Sequence, residues 1–255
     1  MPSVNITDRG FEYDRRWMLV DANNNFLTQR EFEAMALLQV SIEKAGLKVF
    51  HKLNKNDFIS IPFEPKTNER VATNIWGVPC QPLLVSGEAD KWFSEKLQTD
   101  CRLVYMDDDT HVMVNEKYNI NNSLTSLSDG FPILMVSEAS LDDLNSKAGE
   151  VLPMNRFRPN LVISGVSAFE EDSMKEFAIN GITFYGVKPS ARCVMTAINQ
   201  STAEKGKEPL KTLAAYRSLN NKIYFGENVI AGSTGSIHIG DEIIILKTKE
   251  TLFQQ

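Results

Sequence analysis

LQVSIEKAGLKVF, residues 38–50, carries the pattern that decides the fold. Leu38, Val40 and Ile42 alternate with Gln39, Ser41 and Glu43, and a turn at Gly46 leads into Leu47 and Val49. Successive side chains of a strand point to opposite faces, so this alternation predicts an antiparallel hairpin with one apolar face. Working outward, residues 16–21 form a short apolar strand, and a turn at 22–25 leads to 26–30 as its return. Phe58, Ile59 and Ile61 give another strand, stopped at Pro62. A helix is expected over 89–97, where Phe93 and Leu97 share one face and Trp92 widens it.

On the C-terminal side, the apolar run 131–136 predicts a strand leading into a helix over 137–145. Ser137 suits the N-cap, Glu138 the positive end of the helix dipole, and Leu141 with Leu144 the inward face. Strands follow at 160–165 and 181–187, the second delivering the chain to Cys193 at the start of a strand. A helix begins near Glu208, tolerates Pro209 in its first turn, and turns Leu210, Leu213 and Ala214 inward. The chain finishes in strands at 236–239 and 242–246, while 115–129 and 220–234 are expected to be loops that set specificity. Short strands dominate and helices do not alternate regularly with them. The expected fold is therefore mixed α/β, predominantly β, barrel-like and mostly antiparallel, with a boundary between Val114 and Leu124.

Composition narrows the class. No apolar run approaches the roughly 20 residues a membrane helix needs, and no basic segment followed by an apolar one opens the chain, so a cytoplasmic protein without a membrane span is expected. A formal net charge of −6 argues against a nucleic-acid partner, and any anion must meet a local cluster of cations. Cys80, Cys101 and Cys193 show neither CxxC nor Cys/His spacing, which excludes a disulfide framework and a zinc site. His51, His111 and His238 are scattered and are read as structural or exposed. The acidic runs 107–109 and 170–172 are read as solvated loops.

Cys193 stands apart because Lys188 and Arg192 lie close in sequence; cations favour the thiolate, the form that binds a soft metal or attacks an electrophile. Arg158 precedes Pro159, which keeps it out of the helical region and suits its fork of donors to a phosphate or a heterocycle edge. Arg15, Arg16 and Arg30 crowd the first hairpin, where a partner such as Asp14 is equally available.

These segments together resemble the MOSC family, in the branch with an N-terminal β-barrel domain that includes the mitochondrial amidoxime-reducing components and YcbX-like proteins. The resemblance rests on GFEYDRRWMLVD (10–21), TQR (28–30), SEASLDDLN (137–145), FRPNLVISG (157–165), KPSARC (188–193) and KEPLKTLAAYR (207–217). It implies an N-terminal β-rich domain over 1–115 and a MOSC β-barrel over 120–255. It also implies a molybdenum cofactor, molybdopterin-bound, with Cys193 as the protein's metal ligand and catalytic residue. Arg15, Arg158, Asn160 and Arg192 are the implied cofactor contacts. The implied reaction is two-electron reduction of a small N-hydroxylated substrate, with its oxygen released as water. The family's usual opening strand, with a TyrProValLysSer-like motif, precedes the point where this chain starts, and an unpaired strand edge is expected. Many relatives have Cys where Ser190 stands. The C-terminal ferredoxin domain of YcbX-like proteins is not expected here, so electrons would come from a separate flavin or haem protein. The alternative is a sulfur carrier or cofactor-handling module, with a persulfide on Cys193 delivered by a pyridoxal-phosphate enzyme; pyridoxal phosphate enters only through such family associations.

Overall fold

The computed structural model describes residues 2–253, so Met1 and Gln255, the outer limits of the two expected domains, lie outside the described residues. The chain forms two compact units that are not contiguous halves: residues 15–112 join 198–206 in one, and 1–14, 113–197 and 207–255 make the other. The first strand accounts for part of the difference, because Ser3–Thr7 pairs antiparallel with Gly235–His238 near the opposite end of the sequence. Among the described residues no helix is long and apolar enough to cross a membrane.

In the 15–112 unit the predicted hairpin is present as Leu38–Glu43 and Gly46–His51, and Asn54–Pro62 extends it into a three-stranded antiparallel sheet. Val40 lies opposite Val49 and Ile42 opposite Leu47. Leu47, Val49, Ile59 and Ile61 are buried, whereas Val40 and Ile42 are 47% and 41% exposed. Alternation predicts which face is apolar, but the outer strand extends past the core that covers its neighbours. The other predicted hairpin is only half formed: Trp17–Asp21 is a strand, and its return shrinks to a bridge between Val20 and Phe26. Thr28 then accepts from the Glu31 and Phe32 amides and turns the chain away, so Cys101–Tyr105 becomes the partner of Trp17–Asp21. The helix Gly87–Leu97 is capped by Ser86, whose hydroxyl accepts from the Ala89 amide, and it packs Ala89, Phe93 and Leu97 against Leu47, Ile59 and Leu103.

The other unit is built on a mixed sheet in the order Leu161–Ile163, Ile133–Ser137, Lys222–Ala231, Ile182–Arg192, Met174–Ile179, Ile243–Thr248. The order does not return on itself, which makes a half-barrel, and only its first pair is parallel. Every residue of Ile133–Ser137 is buried. Ile133 and Met135 pack with Phe177, Phe184 and Val229 on one face, while Leu134 and Val136 pack with Leu144, Phe157 and Phe225 on the other. A strand covered on both faces has no polar side, hence the unbroken apolar run. Ser137 caps the helix Glu138–Lys147 as expected, its hydroxyl accepting from the Ser140 amide at 3.0 Å.

Three of these expectations need correction, and one strand was missed. Lys222–Ala231 is a ten-residue strand inside the sheet, not a loop; Gly226, Glu227 and Asn228 interrupt its apolar pattern, and Glu227 is buried as the hydrogen-bond partner of Lys249. Met174–Ile179 is a strand that the sequence did not reveal. Glu171 and Asp172, read as solvated, are buried. In the short helix Leu210–Ala214, Leu213 faces inward but Ala214 is exposed, because five residues present too narrow a buried face to hold both.

Gly186 sits where two strands approach closely: a Cβ there would lie well inside contact distance of the Met174 carbonyl oxygen. Backbone must move to relieve that clash, so Gly186→Ala is expected to lower unfolding free energy by about 1–3 kcal/mol in a denaturant titration.

Candidate functional site

Cys193 does not start a strand, as the sequence suggested; it is the first residue beyond one. Ile182–Arg192 ends immediately before it, and a 3-10 turn over Val194–Ala197 follows. Thr196 closes the turn by donating to the Cys193 carbonyl oxygen from its N–H at 3.2 Å and its hydroxyl at 3.0 Å. The strand bends before it ends, with register shifts opposite Lys222–Ala231 between Gly186 and Lys188 and again between Pro189 and Ala191. Its pairing with Met174–Ile179 stops at Tyr185, so Pro189 lies where the ladder has one side only and a missing N–H is tolerated.

The three thiols differ in setting. Cys80 and Cys101 are buried, and burial pushes the Cys80 thiol up to about 11 and raises that of Cys101 as well. Both are kept from acting as thiolates. Cys193 is partly exposed at the strand end.

Arg192 ties the Cys193 segment to the segment carrying Arg158. Its Nη2 donates to the Phe157 carbonyl oxygen at 2.8 Å and its Nη1 to the Ser190 hydroxyl at 3.0 Å, while the guanidinium lies 5.7 Å from the centre of the Phe157 ring. One hydrogen bond thus joins the residue before Cys193 to the residue before Arg158. Ser190, noted as a departure from relatives that have Cys, serves here as the acceptor that orients Arg192.

Arg158 is exposed and has a φ of 56°. Pro159 does exclude the right-handed helical region, but the residue takes the left-handed one rather than an extended conformation. Asn160 is a brace within the fold: its N–H donates to the Leu134 carbonyl at 2.9 Å, its Oδ1 accepts from the Leu134 N–H at 3.0 Å, and its Nδ2 donates to Asp14 at 2.9 Å. Arg15, with a φ of 52°, follows Asp14 in sequence and is the first residue of the 15–112 unit.

Two more cations belong to these segments. Lys188 places its ammonium 5.2 Å from the centre of the Tyr118 ring and 5.8 Å from that of Phe131, an attraction to two aromatic faces. Arg156, which sequence reasoning missed, is buried and donates from Nη2 to the Glu208 carbonyl at 3.2 Å. Burial lowers its pKa, against the pull of Glu150, yet a guanidinium stays charged. Its position two residues before Arg158 was visible in sequence; its burial was not. A chain of net charge −6 therefore carries Arg156, Arg158, Lys188 and Arg192 on two segments that one hydrogen bond joins, one of which leads to its accessible thiol.

Among the described residues no group of three His, Cys, Asp or Glu could hold a metal ion. A metal at Cys193 would draw its remaining donors from a cofactor, and sulfur donors of a dithiolene match a thiolate in softness. The exposed Arg158, on the segment bonded to Arg192, matches the phosphate of such a cofactor. The residues present thus fit a molybdopterin-type group. An open groove of about 850 Å³, lined by Asp90, Ser94, Asp100, Cys101 and Arg102, belongs to the 15–112 unit and includes none of these residues.

Comparison with known proteins agrees with this chemistry. The MOSC N-terminal beta barrel domain matches residues 1–100 and the MOSC domain residues 122–244. The chain belongs to the MOSC family, in the group that carries the N-terminal β-barrel domain. It is similar to mitochondrial amidoxime-reducing component 1 of Mus musculus, with 29% identity over 246 residues, covering 91% of this chain and 72% of that protein. Mitochondrial amidoxime reducing component 2 of Homo sapiens is 28% identical over 243 residues, covering 90% of this chain and 72% of the relative. Molybdenum cofactor sulfurase of Oryza sativa subsp. japonica is 28% identical over 257 residues, 91% of this chain but 31% of that protein. These relatives give the chain a role connected with the molybdenum cofactor.

Proposed function

We propose that this chain is a molybdenum-cofactor-dependent reductase of small N-hydroxylated compounds of the amidoxime and hydroxylamine type. The observation that carries the proposal is the Arg192–Phe157 hydrogen bond, which sets the thiol segment and the Arg158 segment side by side. Cys193 is the metal ligand. Arg158 and Arg192 hold the anionic part of the cofactor, and Arg15 is assigned to the same task by resemblance alone. Asn160 fixes the ends of its segment, since both ends of its amide are already engaged. The bound cofactor supplies two-electron transfer; the protein orients it and excludes water. The overall change, R–NHOH with two electrons and two protons giving R–NH2 and water, needs an electron source, and we assign it to a separate flavin or haem protein. The names of the relatives, which call them components, support such a partner.

The test is reduction of an N-hydroxylated amidine by cofactor-loaded protein supplied with electrons. Turnover is expected in the wild-type chain and none above background in Cys193→Ala. Equal turnover in both would overturn the assignment. Likeness to the sulfurase favours one other reading, sulfur carriage on Cys193, in which the thiolate attacks a donor persulfide and the donor thiolate leaves. A mass gain of one sulfur at Cys193, with no turnover, would select it.

A further inference from the structure

Beneath the strand that leads to Cys193 lies a group of buried charges that the proposed chemistry does not use. Glu171, Asp172, Arg217 and Glu227 are all buried, and Lys249 reaches in from the chain beyond Ile243–Thr248. Arg217 pairs with Asp172, and Lys249 with Glu227 Oε1. Glu171 Oε1 accepts from the Ser137 amide at 3.0 Å and the Ser140 hydroxyl at 2.7 Å. The second oxygens, Glu171 Oε2, Asp172 Oδ1 and Glu227 Oε2, are buried with no hydrogen-bond partner. Three carboxylates against two cations leave an excess negative charge among buried groups, where it is costly.

One proton removes that excess. On Glu227 Oε2 it would also turn an unsatisfied acceptor into a donor, and Asp172, whose charge acts on Glu227, has an oxygen free to accept. Glu227 is also connected to the site. Lys249 Nζ donates to Gly186 O at 2.9 Å as well as to Glu227, and Glu227 is paired in register with Pro189. The Lys249–Glu227 pair therefore clips the strand at the first of its two register shifts, and from there residues 187–192 run with a ladder on one side only to Cys193.

We propose that Glu227, holding one proton at neutral pH and tied to Lys249, is a positioning residue for Cys193: it locks the bent half of the Ile182–Arg192 strand. Loss of the proton puts a second buried negative charge next to that of Asp172, and this repulsion, outweighing the closer hold of Lys249, loosens residues 187–193. Burial, first, and the negative charge of Asp172 raise the Glu227 carboxyl to about 8, while Lys249 and the Lys188 amide act in the opposite direction, so the release falls just above neutrality. The other charged groups facing the cluster are Glu171, which raises the Asp172 carboxyl, and Arg217, which lowers it; burial is the largest influence on Asp172 and raises it. The inference holds whether Cys193 carries a metal or a sulfur.

Hydrogen exchange of the whole chain without added cofactor tests it, with rates at about pH 6.5 and about pH 9 corrected for intrinsic chemistry. In the wild-type protein, corrected exchange over 187–193 is expected to rise about threefold or more at the higher pH, while that of Leu161–Ile163 stays level. Glu227→Gln, neutral at both pH values, is expected to abolish the rise, and Lys249→Met to bring fast exchange already at the lower pH. A flat wild-type profile over 187–193, or the same rise in Glu227→Gln, would overturn the proposal. If the glutamine variant fails to fold, slow exchange over 187–193 in Lys249→Met at the lower pH would overturn it equally.

Discussion

Arg217→Ala is expected to lower the stability of the chain by about 3–5 kcal/mol, the range found when one partner of a buried ion pair is removed. Arg217 is 3% exposed and its partner Asp172 2%, so water cannot replace the lost cation. Three losses coincide. The Asp172 carboxylate is left alone among Glu171 and Glu227; the Arg217 Nε bond to the Tyr224 carbonyl, at 3.4 Å, disappears; and the guanidinium leaves its place 4.2 Å from the ring centres of Phe169 and Phe253. Denaturant titration measures the effect, and the double variant Arg217→Ala with Asp172→Ala is expected to be more stable than the sum of the single losses, because the second change removes the stranded charge. A loss below about 1 kcal/mol in Arg217→Ala would place this pair in solvent, where such pairs contribute little.

This cluster marks where the sequence stopped being informative. Patterns with a period carried through: the alternation around Gly46 and the Ser137 cap have the predicted structures, and the apolar run at 131–136 forms its strand from Ile133 onward. Lys222–Ala231 failed the same test because its centre holds Gly226, at a φ of 80°, and Glu227, whose burial depends on Lys249, 22 residues away. The acidic run 170–172 looked solvated for the same reason: the partners of Glu171 and Asp172, namely Ser137, Ser140 and Arg217, come from 31 to 45 residues away. Ionic partners leave no local signature.

At the site, Cys193 stood out in sequence by its neighbouring cations, and Arg158 by the proline after it. The bond that relates them, Arg192 to the Phe157 carbonyl, could not be read, since a backbone acceptor 35 residues away has no sequence code. Asn160 was legible as part of a motif but not in its role, because both its neighbours Leu134 and Asp14 are distant in the chain.

Cys193 is the one cysteine not buried, and a cofactor with its own sulfur donors asks one ligand of the protein. Removing Cys193, the ligand we propose, is expected to cost more metal affinity than the roughly 10–100-fold typical of changes around a ligand. The decisive measurement is molybdenum and pterin content per chain in protein produced with a supply of the cofactor, comparing the wild type with Cys193→Ala and with Cys101→Ala as a control for a buried thiol. Near-stoichiometric molybdenum in the wild type and in Cys101→Ala, lost in Cys193→Ala, is the predicted result. Folded wild-type protein without molybdenum, or Cys193→Ala with as much as the wild type, would contradict the account.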